Sequence, residues 1–95
     1  MQKHEMTKGT LGFLHTELEA AMTFVAIARQ AKYEDKVVRN MVNARKACQA
    51  MRYFMDRVEL SEGDAAEIGT TLAKVEDELA ALEESVSGKA EQAAE

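Results

Sequence analysis

The stretch VVRNMVNARKACQAMRYFMDRV, residues 37–58, decides the fold. Its residues Val37, Met41, Ala44, Cys48, Met51, Met55 and Val58 recur at steps of four and three, the period that lines up one face of an α-helix. The remaining positions include Arg39, Arg45, Lys46, Arg52 and Arg57, so this helix has an apolar seam and a basic back. Such a seam is stable only against other apolar surfaces, and the chain on either side supplies them.

Upstream, Leu11, Leu14, Leu18, Ala21, Val25 and Ala28 form one line at helical spacing, and Phe13, Ala20, Phe24, Ile27 and Ala31 form a second line beside it. A helix apolar over so wide an arc must touch more than one neighbour. No glycine or proline lies between Phe13 and Leu60, so one long rod has to be weighed against two helices. The phase of the seams decides it. Nine residues separate Ala28 from Val37, which at about 100° per residue sets the second seam roughly half a turn from the first. A straight rod would bury neither. The sequence therefore predicts a short turn at Tyr33 to Asp35, with Asp35 as cap of the second helix, and makes the first two helices antiparallel neighbours.

Downstream, Ser61-Glu62-Gly63-Asp64 has the form of a capping box, with acids placed in the positive first turn of a helix. Ile68, Leu72, Val75, Leu79, Leu82 and Val86 then recur at steps of four and three, with Gly69, Ala73 and Ala80 beside them as small residues suited to close packing. Ser87-Gly88 reads as a stop. The resulting organisation is a flexible lead-in at 1–9 with Thr7 or Thr10 as candidate caps, a bundle over 10–86 with helices at about 10–33, 35–59 and 62–86, and a disordered tail at 87–95. The fold class is all-α: an up-down-up, antiparallel three-helix bundle with no sheet.

Composition agrees. Ninety-five residues are enough for one domain, burying roughly 60 to 65% of the unfolded surface. Proline is absent, hydrophobic residues make up 46% and charged residues 31%, the balance of a folded helical chain. The net charge is −5, but it is unevenly spread: residues 35–57 hold six basic and two acidic side chains, and residues 64–84 hold seven acids and one lysine. Neighbouring helices of opposite sign attract. Cys48 is the single cysteine, which excludes an intrachain disulfide and points to a buried thiol in a reducing, cytoplasmic setting. No apolar run approaches transmembrane length, and the start of the chain is expected to have no signal-peptide core.

The layout of the first two helices, with NARKACQAM at 43–51, resembles the helical hairpin of tetratricopeptide-like proteins, without that family's spaced Trp/Gly/Tyr/Pro pattern. HTELEAAMTFVAIA at 15–28 and NARKA at 43–47 also look like short bacterial three-helix proteins. Both resemblances imply a hairpin fold and no particular activity.

Chemistry is sparse. His15 and Glu19 share a helix face, with Glu17 nearby, but two ligands on one helix do not hold a metal. Cys48 lacks a base and an orienting third group, and there is no glycine-rich phosphate loop or Cys-x-x-Cys pair. No catalytic residue, cofactor or metal is predicted. The methionines at 22, 41, 51 and 55 read as core packing. Two surfaces remain as binding candidates. Phe13, Phe24 and Ile27 on the second stripe of the first helix suit a protein partner or a second copy. The basic face of Arg39, Arg45, Lys46, Arg52 and Arg57 is the alternative, a nucleic-acid surface, which the acidic whole disfavours.

Overall fold

The computed structural model describes the backbone of residues 4–5 and 8–94 and the side chains of residues 9–88. In chain order it contains β1 (His4–Glu5), α1 (Lys8–Gln30), α2 (Glu34–Met55), β2 (Val58–Glu59) and α3 (Glu62–Ala94). The three helices pack as an up-down-up bundle. α1 and α2 share the longest contact, and α3 lies against both.

The seams meet as their spacing requires. Leu14, Leu18, Ala21, Val25 and Ala28 of α1, Met41, Ala44, Ala47, Cys48 and Met51 of α2, and Ile68, Leu72, Val75 and Leu79 of α3 form one buried core. Leu11, Phe24, Val37, Met55, Val58, Leu60, Leu82 and Val86 border it. The buried alanines of α1 and α2 leave little side-chain bulk between those helices, so the hairpin closes tightly. The molecule is long, 53 × 21 × 19 Å with a radius of gyration of 15.6 Å, against about 12 Å for a compact globule of this length. The third helix, 33 residues and thus about 50 Å, sets that length.

The turns differ in detail from the sequence expectation. α1 stops at Gln30, and Tyr33, extended at φ −104°, ψ 133°, is the N-cap of α2. Asp35, expected as the cap, sits inside the first turn with Glu34, where both carboxylates oppose the positive helix end. α2 ends at Met55 and not at 59, because Val58 and Glu59 are extended and pair in parallel with His4 and Glu5. This two-residue pairing is the one departure from an all-helical chain among the described residues. It also gives part of the lead-in a defined place; Thr7 lies outside the described residues, and Thr10 is inside α1. At α3 Ser61 caps the helix as expected, the backbone N–H of Asp64 donating to Ser61 Oγ at 3.1 Å, which is the serine half of a capping box.

Two glycine readings are corrected. α3 does not stop at Ser87-Gly88 but continues to Ala94. No glycine has a positive φ, so Gly88 is not a left-handed cap, and the strong helix formers after it carry the helix on. Gly69 was expected to permit close packing, yet a Cβ placed there would meet nothing within 4 Å, and Ala73 and Ala80 are exposed. Gly69→Ala should therefore stabilise the protein by about 0.5–1 kcal/mol through helix propensity, seen as a higher urea midpoint with an unchanged slope.

α1 also corrects the reading of apolar runs. An 18-residue window within Gly9–Gln30 reaches a mean hydropathy of 1.3, long and apolar enough by composition to cross a membrane, with 28% of that window buried in the protein. Its apolar residues do not form one uninterrupted run, because His15, Glu17 and Glu19 stand among them.

Candidate functional site

Three aromatic side chains gather where the first two turns of α1 lie beside the last turn of α2. Phe13 packs edge-on to Phe54, ring centroids 5.1 Å apart at 78°, and Phe54 packs edge-on to Tyr53 at 5.4 Å and 85°. These are the T-shaped contacts that the ring quadrupole favours. Arg57 completes the group: its guanidinium carbon lies 3.4 Å from the Tyr53 ring centroid, and its Nη1 donates to the Tyr53 carbonyl at 2.9 Å. The cation is thereby held over the ring. Together with Gly9, Thr10 and Val58 these side chains line an open cleft of about 570 Å³. Phe13 is 40% exposed, Tyr53 52% and Phe54 37%.

The sequence places these residues here for local reasons. Phe13 lies on the second stripe of α1, beside the buried seam. Near the helix start it runs beyond the close-packed alanines and meets Phe54, at the matching end of the antiparallel partner. Tyr53 is one residue, about 100°, further round α2 and so turns outward. Of the three residues expected to form a partner surface, only Phe13 joins this cleft. Phe24 is half-buried against the core. Ile27 is exposed but fourteen residues from Phe13, about 21 Å along the helix. The aromatic cluster of Phe13 with Tyr53 and Phe54 was missed because its members are forty residues apart in sequence and meet only through the antiparallel register of the hairpin.

The expected basic face divides. Arg45 forms a two-pronged ion pair with Glu83, its Nε donating at 3.3 Å, and Arg52 does the same with Glu76, also at 3.3 Å from Nε. Both guanidinium groups have their pKa raised, first by these hydrogen bonds. Arg29 of α1 pairs with Glu78 at 3.7 Å. The charge complementarity legible in the sequence thus joins α2 to α3. Arg57 lies on Tyr53, and Arg39 and Lys46 point outward, in no ion pair among the described residues.

The remaining candidates are dispersed. Among the described residues no group of three or more His, Cys, Asp or Glu side chains converges as a metal site. Cys48 is buried in the core, where burial pushes its thiol pKa up. Met51 is fully buried and Met41 nearly so, as packing requires, but Met22 is exposed and corrects that expectation. It borders a groove of about 250 Å³ between α1 and α3, with Ala26, Arg29 and Lys74. The sequence reading did not single out Asn40. It is buried and satisfied locally, its Nδ2 donating to the Lys36 carbonyl at 2.8 Å. Comparison with protein-family models, with curated proteins and with solved structures finds no match in any of the three.

Proposed function

We propose that this chain is a non-catalytic helical protein–protein interaction module, and that it receives an apolar side chain of a protein partner in the cleft of Phe13, Tyr53 and Phe54. The observation that carries this reading is the partial exposure of three mutually packed aromatic rings around one cleft. Rigid aromatic side chains lose little entropy on contact, and together with arginine they are the residues most often found at the centre of protein interfaces. Arg57 supplies a fixed cation at the rim.

A homodimer through the first helix is the form of this reading in which the partner is a second copy. It would have to join Phe13 to Ile27 across the half-buried Phe24, so the compact cleft has the stronger support. Nucleic-acid binding by α2 has lost two of its five cations to Glu76 and Glu83. A cytoplasmic location belongs to the same proposal. It is supported by the lone thiol and by the burial of the α1 seam, and recovery of the protein in the membrane fraction of cells would overturn it.

The test replaces Phe13 or Phe54, one at a time, by a photo-crosslinking phenylalanine analogue in cells, with Lys32 at the opposite end of the hairpin as control. One protein should be captured from positions 13 and 54 and not from 32, and Tyr53→Asp should abolish that capture. Equal capture from all three positions, or none from 13 and 54, overturns the reading.

A further inference from the structure

Two charged rows on the outside of the bundle are left over by its internal pairing. On α2, Arg39 and Lys46 are exposed, and on α3 so are Asp77 and Glu84; none of the four is in an ion pair among the described residues. Seven residues separate the members of each row, which puts each pair on one helix face with its charges about 10.5 Å apart along the axis. Between them stand small or apolar exposed residues, Val42 on α2 and Ala80 and Ala81 on α3.

The same device already joins these helices within the chain. Arg45 and Arg52, seven apart, meet Glu83 and Glu76, seven apart, in antiparallel order. Arg39 and Lys46 lie about 100–120° round α2 from that contact and on the far side from the core, so the bundle cannot bring them to Asp77 and Glu84 of its own α3. The complementary charges are in place, and only another molecule can join them.

We propose that a second copy of this chain docks here, the basic row of α2 in one copy meeting the acidic row of α3 in the other. In antiparallel order Arg39 stands opposite Glu84 and Lys46 opposite Asp77, with Val42 against Ala80 and Ala81. Every copy carries both rows, so each offers what the other needs. The contact shares no residue with the aromatic cleft and goes beyond the function proposed for it. Exposed ion pairs are weak singly and are screened by salt, so self-association should be strongest at low ionic strength.

Light scattering and sedimentation over a concentration series test it, at about 50 mM and about 500 mM salt. The parent should associate at the lower salt and do so about tenfold more weakly at the higher. Arg39→Glu with Lys46→Glu, and separately Asp77→Lys with Glu84→Lys, should each lose association by tenfold or more, and an equimolar mixture of the two variants should regain it. Circular dichroism checks that both fold; should either not, Arg39→Gln with Lys46→Gln tests the same contact and should weaken it. A parent that stays monomeric throughout at low salt, association that survives the substitutions, or a mixture that fails to reassociate overturns the proposal.

Discussion

Leu72→Ala is expected to cost about 2–5 kcal/mol and to lower the thermal midpoint by roughly 10–25 °C for a domain of this size. Leu72 is 0% exposed in the middle of the α3 seam, between the fully enclosed Ile68 and Leu79. α3 meets α1 and α2 over shorter stretches than those two helices share with each other. Its attachment rests on four buried side chains, Ile68, Leu72, Val75 and Leu79, together with three ion pairs on partly exposed groups, each worth about 0–1 kcal/mol. Removing the central leucine leaves a cavity that neighbours on two helices would have to fill. A total stability on the order of 5–14 kcal/mol is expected for ninety-five residues, so this single change takes a large share of it. Urea unfolding followed by circular dichroism measures the loss. A value below about 1 kcal/mol would mean that the α3 seam is not packed as described.

The architecture was legible because it depends on phase. The half-turn offset between Ala28 and Val37 located the hairpin turn with no glycine or proline to mark it. The seams of all three helices were read from period alone, and their centres are the buried residues of the structure. Helix ends were less legible because they depend on contacts distant in sequence. Nothing within residues 55–59 predicts that Val58 and Glu59 leave the helix, since their extended form comes with pairing to His4 and Glu5. Gly88 failed as a stop signal for a different reason. A glycine ends a helix by adopting positive φ, and here the flanking helix formers keep it right-handed.

The candidate site was half legible. Period flagged Phe13 as an apolar residue outside the main seam, and it is exposed as that position implies. Period could not say that Phe24, on the same stripe, would be half covered while Phe13 would meet Phe54. That difference comes from the register of the hairpin, which brings position 13 level with position 54. Charge counting identified the attraction between the second and third helices. It could not separate Arg45 and Arg52, which satisfy that attraction, from Arg39 and Lys46, which do not, because the division depends on how far round α2 each residue lies.

Cys48 gives the sharpest measure of how closed the core is. Its side chain is 1% exposed, and burial raises its pKa, as does the charge of Glu76, while Arg45 and Arg52 pull it down. A thiol reagent needs both access and the thiolate, so the native protein should react on the order of a thousandfold or more slower than the unfolded chain, at a rate set by opening. Leu72→Ala should then speed labelling about a hundredfold, the factor that a loss of about 3 kcal/mol gives the open population. The same thiol gives stability a pH dependence of known sign. The folded state holds the proton at pH values where the unfolded chain has released it, so the contribution is complete below the ordinary thiol pKa of about 8.5. It declines as pH rises above that value toward the raised folded one, by at most about 1.4 kcal/mol per unit. Other groups titrate in the same window, so the quantity to measure is the difference between the parent and Cys48→Ala, whose stability should lack that part of the decline. Labelling of the native protein as fast as that of the unfolded chain, or identical pH profiles for parent and variant, would place the thiol in water and not between α2 and its neighbours.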